Sequence, residues 1–199
     1  MIWESYPWKV QLLRDANSLS KLQRAEIDLD NCEVELIRLE RIIFISAYTM
    51  RKLWHSNKLS SRWSSLKLPT KRFELIGPIP DFLSWHKVEK YYDLRNGVDV
   101  GLKVEEYCGR IIHSFCFVPI FNEINQLNAF YFTSDSMKSR CIWLVELKDV
   151  ANLIKTTGSD YPSCGAFVRT ESGEVKIWAG DGEPPKHLLE AFERERRKK

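Results

Sequence analysis

No two cysteines in this 199-residue chain are spaced CxxC, and no two histidines are spaced HxH or HExxH. The five cysteines (Cys32, Cys108, Cys116, Cys141 and Cys164) are odd in number. Cys108, Cys116 and Cys141 sit inside apolar patterns, where cysteine behaves as a small hydrophobe. A disulfide or zinc framework is therefore not expected, and the chain reads as a cytoplasmic protein of a reducing compartment. The nine glycines form neither a GxGxxG nor a P-loop, so nucleotide binding of those types is unsupported and no cofactor is expected. No apolar run approaches the roughly 20 residues a membrane helix needs. The opening Met1-Ile2-Trp3-Glu4 leads into no basic segment followed by an apolar one, so neither a signal peptide nor a membrane partner is expected. Internal repeats and low-complexity segments are also lacking.

What the chain does have is large side chains and an uneven distribution of charge. Seven Trp and ten Phe supply a core, and the net charge is only +3. From Glu26 to Glu40 there are six acids and one base, and from Arg41 to Phe73 eight bases and no acid.

The strand signal is clearest in the middle. Residues 111–121, 127–133 and 141–147 are apolar runs rich in β-branched and aromatic side chains, separated by polar turns. They predict a three-stranded antiparallel meander. Residues 166–170 and 174–178 alternate around Ser172-Gly173, which resembles a two-residue hairpin turn. A short helix is expected over 149–156, stopped by Gly158, and a charged helical tail over 186–199.

The helical signal is clearest at the front. Ser5 and Pro7 open a helix with Leu12, Leu13, Ala16, Leu19 and Leu22 at helical spacing. Asp30 or Asn31 could cap a second helix running to about His55, with Leu36, Leu39, Ile43, Ala47, Met50 and Trp54 as its stripe. Ile42, Phe44 and Ile45 widen that stripe and predict burial on more than one side. Its acidic start and basic end suit the helix macrodipole. Residues 59–84 read as a basic connector containing Ser and Pro, with one helical turn near 60–66. Asp99 is placed to cap a helix that feeds the first central strand.

The expected fold is α+β: a single domain in which an N-terminal helical layer (1–58) packs on a mostly antiparallel sheet. That sheet, of about five strands, would combine the meander and the hairpin within 85–185, with 186–199 as a charged tail.

Two constellations could carry function. The first is a basic stretch interleaved with aromatics: Arg51, Lys52, Lys58, Arg62, Trp63, Lys67, Lys71, Arg72 and Phe73. Lys and Arg neutralise phosphates and flat rings stack on bases, so the partner would be nucleic acid or a nucleoprotein. A basic face that docks an acidic protein fits the same residues. On this reading the chain is a non-enzymatic accessory protein. The second constellation is Glu106, Arg110 and His113, spaced by four and three residues on one helix face. A carboxylate orienting an imidazole beside a guanidinium would suit metal-independent phosphodiester cleavage, or another hydrolysis, with His113 as acid or base. The Arg110–His113 spacing is shorter than in the HEPN ribonuclease motif, and the strand-rich C-terminal half does not suit that fold.

Overall fold

Helix α1 (Tyr6–Arg24) begins with Pro7 in its first turn and ends with Lys21 and Arg24 in its last, both suited to those positions. Leu12, Ala16, Leu19 and Leu22 are buried along one face. The computed structural model describes residues 2–169 and 173–196. Helix α2 (Glu33–His55) follows, with Glu33 and Glu35 in its first turn and Lys52 and His55 in its last. Asp30 and Asn31 do not cap it. They lie in a 3₁₀ turn (Leu29–Asn31) held by the Asp28 carboxylate, and Cys32 precedes the helix.

The sheet contains five antiparallel strands: β1 (Lys67–Glu74), β2 (Val98–Lys103), β3 (Ser114–Phe121), β4 (Leu127–Ser134) and β5 (Cys141–Glu146), in spatial order β2-β1-β5-β4-β3. The meander β3-β4-β5 forms where the apolar runs predict it. Helix α3 (Val104–Ile112) leaves β2 without an intervening loop, and helix α4 (Leu147–Gly158) leaves β5 in the same way. The hairpin β6 (Cys164–Arg169) and β7 (Val175–Gly180) forms a separate two-stranded sheet. Its expected Ser172-Gly173 turn lies partly outside the described residues. Helix α5 (Lys186–Arg196) closes the described chain.

Three expectations are corrected here. The hairpin does not join the main sheet, because β1 and β2 take those places. Strand β1 runs through the stretch read as connector; its burial alternates along Leu68, Thr70 and then Phe73, a period masked in the sequence by Lys67, Lys71 and Arg72. Asp99 caps no helix, since it sits within β2 opposite Lys71. The Asn96-Gly97 turn that leads into β2 leaves no room for a side chain at Gly97, where a Cβ would collide with the buried Phe73 ring.

The main core lies between the helices and one face of the sheet. There Phe44 of α2 meets Phe117 at a centroid separation of 5.6 Å, and Tyr107 of α3 meets Phe132 edge to face. The opposite face carries a second apolar cluster of Phe73, Cys116 and Ile142, closed by Val88 and Tyr92. Helix α2 is buried on one side only: Ile42 and Ile43 are buried, Phe44 is half-buried and Ile45 faces solvent.

A buried polar network pins the start of the expected connector to α1 and α4. Lys9, fully buried, donates from Nζ to the Lys58 carbonyl at 2.7 Å and to the Asp160 carbonyl, and lies 4.2 Å from the Tyr161 ring centroid. The Ser60 N–H and hydroxyl both donate to Asp160 Oδ2, at 2.9 and 2.8 Å. These bonds satisfy groups whose burial unpaired would be costly, so this part of the stretch is held in one conformation.

Candidate functional site

The fold divides the basic stretch among several surfaces. Arg51 lies against α3, its guanidinium beside Gly109. Lys52 sits over Tyr48 of its own helix. Lys58 is half-buried and Arg62 is exposed in the 3₁₀ turn Ser61–Ser65. Lys67 and Lys71 share the outer face of β1. Arg72 points to the opposite face, as cross-strand neighbour of Trp143, and pairs with Glu74 at 2.7 Å.

Neither aromatic of the set is available to a ligand. Trp63 is 1% exposed, stacked on Trp54 and bonded to Thr157. Phe73 is 3% exposed and meets Tyr131 edge to face in the second cluster. The expectation that Trp63 and Phe73 stack on bases or anchor a partner is therefore corrected. Their apolar area is worth more in the core than at the surface, about 25 cal/mol per Å² removed from water.

Lys67 and Lys71 instead line an open groove of about 490 Å³ on the outer face of β2-β1-β5. Pro69, Gly101 and Leu144 contribute apolar floor, and Asp99, Glu146 and Asp149 bring negative charge. Lys71 Nζ stands 3.8 Å from Asp99. Lys103 lies opposite Lys67 in the ladder and adds a further cation at the rim. The groove thus carries both signs of charge over an apolar base, unlike the uniformly cationic track that follows a phosphate backbone.

The second constellation is only partly assembled. Glu106 and Arg110 pair at 3.3 Å on α3. The Arg110 guanidinium also lies 4.1 Å from the Trp143 ring centroid, a cation–π contact. Trp143 therefore collects Arg110 from α3 and Arg72 from β1. His113 ends α3 as an exposed residue whose backbone bonds to Gly109 and Asp135. Among the described residues no hydrogen bond joins its ring to Glu106, Arg110 or any other group, so nothing orients the imidazole for proton transfer. Among the described residues, too, no group of three His, Cys, Asp or Glu side chains is arranged to hold a metal ion, and no helix is long and apolar enough to cross a membrane.

Two of the places where large apolar side chains remain on the surface gather several of them together. One is the loop carrying Ile76, Ile79, Phe82 and Leu83, where the Asp81 carboxylate accepts from the Leu83 N–H and Ser84 hydroxyl. The other is the solvent face of α2, with Val34, Ile37, Ile45 and Tyr48.

Sequence reasoning missed Asp99, Glu146 and Asp149 as groove residues and Lys103 at the rim, because they come from three elements, β2, β5 and α4, whose adjacency to β1 only the tertiary structure creates. It also assigned Ile45 to the core. The signal against that was present, since Ile45 shares a helix face with Val34, Arg41 and Lys52 rather than with Leu39 and Met50. No protein-family model, curated protein or solved structure matches this chain.

Proposed function

We propose that the chain is a non-enzymatic interaction protein that docks a polypeptide segment of mixed charge in the β2-β1-β5 groove. The observation that carries this reading is the placement of Lys67 and Lys71 in one groove with Asp99, Glu146 and Asp149 over an apolar floor. Such a lining selects a partner by charge pattern and buries some apolar area with it. A nucleic-acid partner is the second reading. It is supported by Lys52, Lys58, Arg62 and Lys67, which form no ion pair among the described residues.

The test combines amine-reactive crosslinking of the full chain in its native extract with binding of labelled DNA and RNA across a salt series. The polypeptide reading expects Lys67 and Lys71 to be crosslinked to another protein. That complex should be lost on reversing groove charge elsewhere, in Glu146→Lys, while nucleic-acid binding stays at background near physiological salt. The opposite result would be nucleic-acid binding that falls linearly in log salt, with a smaller slope in a variant combining Arg62→Ala and Lys67→Ala. That would replace the polypeptide partner by nucleic acid. Turnover of a phosphodiester that His113→Ala abolishes would overturn both readings.

A further inference from the structure

We infer that the solvent face of α2 pairs with the α2 of a second copy of this chain, the two helices running antiparallel. Burial of Leu39, Ile43, Ala47, Met50 and Leu53 fixes the inner face of the helix. On the outer face Val34, Ile37, Ile45 and Tyr48 remain 71%, 64%, 51% and 46% exposed. Their spacing puts them on one stripe with Arg41 at its middle. Four large apolar side chains on one solvated helix face mark an interaction surface rather than a scatter of single exposures. Beside the stripe, a groove of about 490 Å³ runs between α1 and α2, lined by Gln11, Asp15, Ile37, Arg41 and Ile45 among others.

Two features of the stripe select a second copy as its occupant. First, it is symmetric about Arg41: Ile37 and Ile45 lie four residues to either side, and Val34 and Tyr48 seven. A two-fold axis through that point sets Ile37 of each chain against Ile45 of the other, and Val34 against Tyr48. This reciprocity is what an isologous interface requires. Second, the charge along the helix is complementary to its own reverse. Glu33 and Glu35 occupy the first turn and Lys52 the last. Antiparallel pairing therefore places the acidic end of each helix beside the basic end of the other, twice per dimer, and opposes the two macrodipoles. Parallel pairing would set like charges together at both ends. Near the axis each Arg41 has Asp15 of its own chain across the α1–α2 groove to temper its charge. This surface is separate from the β2-β1-β5 groove and does not rest on the function proposed for it.

Sedimentation velocity of the full chain between about 1 and 100 µM, spanning the range of ordinary self-association constants, tests the inference. The wild type should pass from monomer to dimer within that range. Combining Ile37→Glu with Ile45→Glu changes only exposed helix positions, so circular dichroism should stay native while the dimer dissociation constant rises about a hundredfold or more. Glu33→Lys should weaken the dimer about tenfold, and adding Lys52→Glu should restore it. A chain that stays monomeric throughout would overturn the inference and assign the face to a different protein. A dimer unaffected by the paired isoleucine changes would overturn it by placing self-association elsewhere. A charge reversal that Lys52→Glu fails to rescue would overturn the antiparallel arrangement.

Discussion

Trp63 donates its indole Nε1–H to Thr157 Oγ1 at 2.9 Å, joining the 3₁₀ turn after α2 to the last turn of α4. The most conspicuous aromatic of the basic stretch is thus a core residue, and its ring lies 5.4 Å from that of Trp54. Trp63→Ala should lower stability by about 3–5 kcal/mol, the cost of emptying a buried aromatic site. Urea denaturation measures it. A loss under about 1 kcal/mol would place Trp63 on the surface instead.

Lys9 should matter as a donor rather than as a charge. Lys9→Met keeps most of the stem but leaves the Lys58 and Asp160 carbonyls without their partner, at a cost of about 1–3 kcal/mol. Burial pushes the Lys9 ammonium below the usual lysine range, and Asp160 pulls it partly back. The native chain therefore holds this proton less tightly than the unfolded one. By itself the group adds stability as pH rises towards the ordinary lysine value, and Lys9→Met should remove that increment. An alkaline stability profile identical in the two proteins would contradict the assignment.

Three buried thiols act in the opposite sense. Burial pushes Cys108, Cys116 and Cys141 up from the ordinary value of 9.0, Cys116 to about 12. The unfolded chain loses these protons near pH 9 while the native chain keeps them, so stability should fall as pH rises above that point. The slope is about 1.4 kcal/mol per pH unit for each fully retained proton. With three thiols set against Lys9, the net trend between about pH 9 and 10.5 is downward. Cys116→Ala should make it shallower by one thiol's share, measured by denaturant titration at several pH values. An unchanged slope would mean that Cys116 ionises in the native state.

His113 and Arg110 should separate cleanly. The imidazole is exposed and has no hydrogen-bond partner among the described residues, so His113→Ala should shift stability by no more than about 0.5 kcal/mol. Arg110→Ala removes the stacking on Trp143 and the bond to Glu106 together, and should cost about 1–2 kcal/mol. Thermal unfolding of both variants decides the matter. An equal loss for the two would make His113 a structural residue.

The class of the fold was legible in the chain because its strongest patterns are local. The meander runs, the α1 stripe and the α2 stripe each repeat with the period of their element, so a single pass finds them. Strands β1 and β2 were not legible. Lys67, Lys71 and Asp99 lie on the solvated part of an otherwise covered sheet face, and their charges imitate a surface loop. Only pairing with β2 at Leu68 and Thr70, and with β5 at Phe73, shows that these residues are held in a strand.

The candidate sites divide along the same line. The sequence by itself determined which residues are charged, where acid gives way to base along α2, and that Glu106 and Arg110 would meet one helical turn apart. The tertiary structure alone decided that Trp63 and Phe73 are core residues and that Arg72 and Arg110 share Trp143. It also decided that Lys67 and Lys71 face Asp99, Glu146 and Asp149. The physical reason is range. Helix and strand periods act over a few residues, whereas a groove gathers side chains whose neighbourhood is set by strand order and by which face each element buries.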